Sequence, residues 1–219
     1  REPVIGVSFD GTGYGTDGTI WGGEILQCDY RDFRRLGSIE PFVQVGGDAS
    51  AKEGWRIAVS MLYGITGDRE KTLELAEKLE LCTEQEAKVL FTMADRRINA
   101  VTSTSAGRLF DGVSAILGIR KSSTFEGEAS MALEFAAEKV NGKMKKLSKE
   151  KQPQKKTATD ILRKDTENKE KMLVLNTAEL VKNLTEKRLN GEDVHTLAWN
   201  FHRGLADQIC EACRISRDD

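Results

Sequence analysis

One aspartate among closely spaced glycines constrains the fold of this chain more than any other feature. An apolar run, Val4 to Phe9, leads into the glycine-rich segment Asp10 to Gly18, and a second β-prone run follows from Thr19 to Leu26. The Asp17-Gly18 pair supplies the positive φ angles that a tight hairpin needs. These patterns predict a buried first strand that ends at Asp10 and turns back into a second strand.

A change of periodicity near residue 47 divides the chain. Residues 33–45 continue the β-pattern, whereas later apolar residues recur at helical spacing. Helices are predicted at Ala51–Tyr63, Thr72–Leu81, Thr83–Asn99, Ser105–Leu117, Ala129–Val140, Thr177–Leu189 and Val194–Ile215. The chain is therefore divided into a β-meander (1–48), a helical part (49–138), a lysine-rich loop or linker (139–171) and C-terminal helices (172–219).

This order predicts an α/β fold. A β-meander followed by a mainly helical region is typical of one lobe of the ribonuclease-H-like or actin-like ATPase (ASKHA) architecture. Periodicity alone does not separate that architecture from other α/β arrangements.

The charges of the chain nearly cancel, with 33 lysines and arginines against 35 acids. This balance gives no reason to expect nucleic acid or an anionic membrane as a partner. No apolar run approaches the roughly 20 residues that span a bilayer. The scattered cysteines favour a reducing cytoplasm over a disulfide framework: Cys28, Cys82, Cys210 and Cys213.

Three pairs or tracts elsewhere are interpreted as structural. Cys210 and Cys213 share one helix face and are predicted to pack there. His195 and His202 lie about 10.5 Å apart along one helix, too far to share one metal ion. The lysine-rich run within residues 139–171 is predicted to be a solvated loop.

The segment from Asp10 through Gly11, Thr12 and Gly13 is the first candidate for chemistry. Glycines let backbone N–H groups approach an anion closely, and a cluster of such donors binds phosphate. The Asp10 carboxylate can hold the cation that phosphate chemistry requires. A glycine-rich turn capped by Asp10 explains the same residues, and spacing alone leaves both interpretations open.

Two more segments combine glycine with acid at a predicted helix start. Gly107 leaves backbone donors open, and Asp111 lies one turn further, where it can accept hydrogen bonds from a ribose diol. The alternative is a surface ion pair between Asp111 and Arg108. Gly127 and Glu128 begin the next helix, where Glu128 can simply complement the helix dipole.

Several motifs together resemble one family. Residues 7–24, Val-Ser-Phe-Asp-Gly-Thr-Gly-Tyr-Gly-Thr-Asp-Gly-Thr-Ile-Trp-Gly-Gly-Glu, closely resemble the HypF family of hydrogenase-maturation carbamoyltransferases. The further matches fall in the family's order: Gly46-Gly47-Asp48, Trp55-Arg56, Gly107-Arg108-Leu-Phe-Asp111, Phe125-Glu-Gly-Glu-Ala129 and Asn200-Phe201-His202. The resemblance is to the transferase domain, which is similar to tRNA threonylcarbamoyl-transfer proteins.

The resemblance implies a function and a site. The family makes carbamoyl-adenylate from carbamoyl phosphate and ATP, then passes the carbamoyl group to the C-terminal cysteine of a HypE-type partner for the cyanide ligand of NiFe-hydrogenase. It implies that Asp10 binds a divalent metal (zinc, iron or magnesium), that Gly11, Thr12 and Gly13 face the adenylate phosphate, and that Asp111, with Gly107 beside it, binds the ribose. Gly127 and Glu128 would border the nucleotide. No catalytic side chain is assigned.

The family's remaining metal ligands have no counterpart here. Its histidine pair would precede the first strand, and its Gly-Gly-Val-x-x-Asn segment and final aspartate would follow Asp219. We therefore expect part of a longer enzyme that binds metal weakly and is inactive by itself. The alternatives are a small-molecule O-carbamoyltransferase or a kinase of the actin-like ATPase class, which would need a general base and a second phosphate loop.

Overall fold

The computed structural model describes residues 3–140, 162–164 and 172–218. The strands, in chain order, are β1 (Val4–Tyr14), β2 (Ile20–Cys28), β3 (Phe33–Ile39), β4 (Phe42–Val45), β5 (Ala100–Ser103), β6 (Leu162–Lys164) and β7 (Leu173–Leu175). The helices are α1 (Gly54–Thr66), α2 (Arg69–Lys78), α3 (Glu84–Asp95), α4 (Ala106–Ile116), α5 (Glu128–Glu138), α6 (Thr177–Leu189) and α7 (Val194–Asp218). A short 3-10 helix, Gly47–Ala51, joins β4 to α1.

The described strands form one mixed sheet. Its order is β4-β5-β2-β3-β7-β6, and β1 pairs with β2 beside this path. Strand β5 runs parallel to β2 and β7 runs parallel to β3, whereas the remaining pairs are antiparallel. Each of the four predicted segments contributes at least one strand. The mixed sheet with its helices confirms the predicted α/β fold class.

Strand β1 corrects the predicted buried strand. It pairs only with β2 among the described strands, and none of its residues is buried. An apolar pattern does not reveal whether a strand is covered on both sides, so the expectation for Val4–Phe9 was wrong. The strand also continues past Asp10 to Tyr14, with an irregular register between Phe9 and Gly13. The turn itself lies at residues 15–19, where the Gly15 N–H donates to the Thr19 carbonyl at 2.9 Å.

The predicted stretch 33–45 is two strands with different neighbours. Pro41 separates β3 from β4 and has no N–H to donate to a ladder. Strand β3 pairs with β2 and β7, whereas β4 pairs with β5. Strands β5, β6 and β7 have only three or four residues each. Runs this short are not resolved by periodicity, which is why the sequence predicted a helical chain after Gly47.

Local capping signals account for where the helices begin. The predicted capping box of α3 is confirmed, because the Thr83 hydroxyl accepts from the Glu86 N–H and the Glu86 carboxylate accepts from the Thr83 N–H. Helix α2 begins earlier than predicted because Asp68 caps it, accepting from the N–H groups of residues 70 and 71. The predicted bounds of α6 are those observed.

Helix α7 contributes both histidines and two of the four free cysteines. The His202 ring packs against Phe110 and Phe201, and its Nδ1 lies 2.8 Å from the Ala198 carbonyl oxygen, as expected for a packing residue. Cys213 is half-buried, but Cys210 is exposed, so the prediction that both cysteines pack was wrong for Cys210.

Two negative points concern the described ranges only. No helix in them has the length and apolar character needed to cross a bilayer. The heart of the lysine-rich tract lies outside the described residues, so the loop predicted there stays a prediction.

Candidate functional site

Three glycines bring the N-terminus of α4 into backbone contact with β1 and β2; we call them the glycine junction (Gly11, Gly22 and Gly107). A Cβ atom added to Gly107 would lie 2.8 Å from the Gly11 Cα, and one added to Gly22 would lie 2.6 Å from the Asp10 carbonyl oxygen. The Ser105 hydroxyl donates to the Gly11 carbonyl across this contact. Only glycine at positions 22 and 107 permits this approach, so the junction joins two of the segments that the sequence singled out.

An ion pair on the first turns of α4 lies next to this junction. Arg108 Nη1 is 2.8 Å from Asp111 Oδ2, and the two side chains are only 9% and 7% exposed. The pair predicted between these residues therefore forms, but it is buried and not on the surface. Apart from it, the Asp111 carboxylate receives no hydrogen bond from any described residue. A carboxylate has capacity for more than one donor, so Asp111 can accept a further hydrogen bond from a ligand.

Burial raises the pKa of Asp111 to about 6, against the opposing effect of Arg108. A raised carboxyl pKa means that the folded state holds its proton more tightly than the unfolded chain. Folding stability therefore falls as the pH rises from about 4 to 6, by at most about 3 kcal/mol at roughly 1.4 kcal/mol per pKa unit.

Asp111→Asn should remove this pH-dependent cost. We expect the stability of the variant relative to wild type to increase between pH 4 and pH 7, measured by urea unfolding at both values. Asp29→Asn is the control. Its stability relative to wild type should decrease as the pH rises, because the N–H groups of Arg31 and Asp32 lower the pKa of Asp29. A stability difference for Asp111→Asn that does not change with pH would contradict the raised pKa.

A buried charge network holds β2 beside the junction, and sequence reasoning did not find it. Glu24 is 2% exposed, and its Oε2 accepts from the N–H groups of Gly22 and Gly23 at 2.5 and 2.8 Å. Its Oε1 accepts from Arg35 Nη2 at 3.0 Å and from the Thr104 hydroxyl. The network thus fixes the path of β2 where the junction contacts it. An acid directly before the apolar pair Ile25-Leu26 was the available signal.

The remaining predicted residues of the first segment are more open. The Asp10 side chain is exposed, and its Oδ1 accepts from the Gly11 N–H at 2.6 Å. The described residues therefore do not enclose Asp10 in a cleft. Thr12 is exposed, and Gly13 lies so close to β2 that a Cβ there would be 2.9 Å from the Trp21 carbonyl oxygen.

Gly127 and Glu128 are occupied with the start of α5. Gly127 is the N-cap residue and has a left-handed φ of 76°. Glu128 accepts from the Thr124 N–H at 2.6 Å and lies 3.1 Å from Arg120 Nη2. These contacts are local and do not reach the glycine junction. A role for Gly127 and Glu128 at the border of a nucleotide stays a prediction.

The described residues by themselves do not fit a metal ion. No group of three or more histidine, cysteine, aspartate or glutamate side chains among them has the geometry to hold one. Asp10 stands as a single carboxylate, whereas stable metal sites use several ligands. Metal binding by Asp10 stays a prediction, and nothing in the proposed chemistry depends on it.

A cavity lies elsewhere in the described part of the chain. Its volume is about 500 Å³, and it opens between β4, the C-terminal half of α1, the end of α3 and the start of α6. None of the predicted site residues lines it. Its wall is mainly apolar, with Phe42 and Met61 beside the Tyr63 hydroxyl, which donates to Asp95 at 3.0 Å.

The fold and the glycine junction define an α/β protein consistent with the actin-like ATPase architecture. Residues 6–219 match the family described as "Carbamoyltransferase, Kae1-like domain, second subdomain". The chain therefore belongs to the HypF carbamoyltransferase family, as the motifs predicted.

Curated relatives resemble this chain in sequence, and solved structures resemble it in fold. The chain is 33% identical over 213 residues to a probable carbamoyltransferase HypF of Methanocaldococcus jannaschii, covering 97% of this chain and 25% of that protein. It is 31% identical to carbamoyltransferase HypF of Synechocystis sp., and this match covers 95% of this chain and 26% of that protein.

Among solved structures, full-length HypF in the phosphate- and nucleotide-bound form superimposes with a TM-score of 0.77 at 27% identity, covering all of this chain and 26% of that one. HypF of T. kodakarensis shares the fold with a TM-score of 0.75 at 24% identity, and the match covers 99% of this chain and 27% of that one. The chain thus spans about a quarter of the length of these proteins.

Proposed function

We propose that this chain supplies part of the nucleotide site of a carbamoyltransferase, with the glycine junction and Asp111 as its centre. The observation that carries the proposal is the buried Asp111 carboxylate, which has Arg108 as its single partner among the described residues and lies beside a backbone contact that needs glycine. Membership of the HypF family supports it, as does a solved relative that holds phosphate and nucleotide.

The substrate in this proposal is carbamoyl-adenylate, made from carbamoyl phosphate and ATP. The acceptor is the C-terminal cysteine of a HypE-type protein, on the route to the cyanide ligand of NiFe-hydrogenase. The cysteine sulfur gives up its proton and bonds to the carbamoyl carbon, while the bond from that carbon to the phosphate oxygen breaks and AMP leaves. The chain's part is to hold the adenylate so that this carbon is presented to the sulfur.

Each element of the site has a place in this scheme. The Gly11 segment lets the phosphate approach the backbone closely, since glycine has no side chain to obstruct it. Asp111 accepts from a ribose hydroxyl, which makes a charge-assisted hydrogen bond. Arg108 keeps Asp111 ionised near neutral pH, because its positive charge lowers the pKa that burial raises.

Asp111→Asn tests this function in a complete protein that contains the chain. Loss of the charge-assisted bond should weaken adenylate binding about tenfold, since such bonds contribute roughly 1.5–3 kcal/mol and 1.4 kcal/mol corresponds to a factor of ten. Asp111→Ala should weaken it further. Calorimetric titration gives the affinity, and transfer of labelled carbamoyl phosphate to the HypE-type acceptor gives the activity.

The matched control is Asp207→Asn, which changes an exposed aspartate on α7, outside the site. It should leave affinity and transfer unchanged. Equal affinities for wild type and both Asp111 variants would make Asp111 structural. Labelled carbamoyl found on a small hydroxyl compound, with none on the protein acceptor, would favour an O-carbamoyltransferase instead.

A further inference from the structure

Arg108 has hydrogen-bonding capacity that its contacts within the protein do not use. Its Nη1 donates to the Ala51 carbonyl at 2.7 Å and pairs with Asp111. Its Nε is buried and has no hydrogen-bond partner among the described residues. A guanidinium group carries five N–H donors in a fixed plane, so one edge of Arg108 remains available.

This free edge is directed at the glycine junction. Arg108 Nη2 lies 3.7 Å from the point where a Cβ atom on Gly11 would stand. The side chain is more than nine-tenths buried, so water has little access to compensate the unpaired Nε–H donor. Leaving a charged donor buried and unpaired destabilises a fold. An ion pair with Asp111 explains only the Nη1 side of the group.

The chemistry of that edge selects the class of ligand. Two neighbouring N–H donors on a planar cation match two oxygens of a phosphate group, a geometry that lysine cannot reproduce. The N-terminus of α4, whose cap is Ser105, adds positive potential at the same place. A ribose hydroxyl, by contrast, is matched by the Asp111 carboxylate. The two side chains thus suit different parts of one nucleotide.

We propose that Arg108 is a further ligand-contacting residue, which binds the phosphate of the nucleotide held against the Gly11 segment. This inference rests on the proposed function. In this proposal Arg108 contacts the phosphate through Nε and Nη2, and Asp111 contacts the ribose. Arg108 therefore increases the affinity for nucleotides over nucleosides, whereas Asp111 contributes equally to the affinity for both.

Titration of AMP and adenosine into a complete protein that contains the chain tests this division. Arg108→Lys and Arg108→Met should lower the affinity for AMP by about tenfold or more while changing the affinity for adenosine by less than about threefold. Asp111→Asn, the matched control on the same helix, should weaken both ligands by a similar factor. Thermal unfolding of every variant establishes that it is folded, and Arg108→Lys carries the test if Arg108→Met does not fold.

The outcomes separate the two proposals. If the complete wild-type protein binds neither AMP nor adenosine, the proposed nucleotide site is wrong and so is this inference. If the wild type binds and the Arg108 variants keep their AMP affinity, only the inference is overturned. Equal losses of affinity for AMP and adenosine with Arg108→Lys would also overturn it. A residue with a purely structural role would affect both ligands alike, whereas a phosphate contact affects AMP alone.

Discussion

Glu24→Ala is expected to lower the free energy of unfolding by about 3–5 kcal/mol, because it removes the buried carboxylate that pairs with Arg35 and accepts two backbone hydrogen bonds. The Arg35 guanidinium is only 15% exposed and would lose its buried partner. The N–H groups of Gly22 and Gly23 would lose their acceptor as well. Urea unfolding followed by circular dichroism measures the loss.

Asp17→Asn is the matched control, because Asp17 pairs with the same arginine. That pair spans 3.2 Å, but the Asp17 side chain is 44% exposed, so solvent screens it. We expect Asp17→Asn to cost at most about 1 kcal/mol. Similar losses for Glu24→Ala and Asp17→Asn would contradict the view that burial gives the Glu24 network its importance.

Gly107→Ala is expected to reduce carbamoyl transfer by the complete enzyme about 100-fold, because displacing a substrate-positioning element by roughly 1 Å can cost that much. The added methyl group would lie 2.8 Å from the Gly11 Cα, so α4 and β1 must separate. Stability should also fall, by about 1–3 kcal/mol, as for other overpacked contacts. The measurements are the transfer rate at saturating substrate and the unfolding midpoint.

Gly64→Ala makes the same substitution on a helix without the contact. Gly64 lies in α1, and nothing stands within 4 Å of its added Cβ. It should stabilise the protein by about 0.5–1 kcal/mol, since alanine is the better helix former. Transfer should not change. If Gly107→Ala behaves like Gly64→Ala, the glycine junction does not constrain the site.

The sequence predicted local structure well wherever a local signal exists. The Thr83 capping box, the hairpin turn that contains Asp17 and Gly18, and the bounds of α6 depend on neighbouring residues, and all three are confirmed. Of the turn pair, however, only Gly18 has the predicted positive φ. The α/β class follows from the order of patterns along the chain. Strands β5 and β7 were missed because three or four residues are too few to show a period, and because their partners lie far away in sequence.

The candidate site was predicted as separate motifs, not as an arrangement. Glycine spacing identified Gly11 and Gly107 individually, but only the fold shows that their backbones are in contact. The burial of the Arg108–Asp111 pair likewise depends on α1 packing against α4, which a helical pattern does not specify. Glu24 escaped notice because a single acid within a strand is ordinarily a solvated one.

The parallel pairing of β3 with β7 has a consequence for the order in which the protein is made. The Glu40 N–H donates to the Thr177 hydroxyl at 3.1 Å, a contact between residues 137 positions apart. At a synthesis rate of about 5–20 residues per second, β7 is therefore made several seconds or more after β3. Contacts of such long sequence separation slow folding. A nascent chain paused before residue 173 should bind chaperones through the unfilled edge of β3, and release them once β7 emerges.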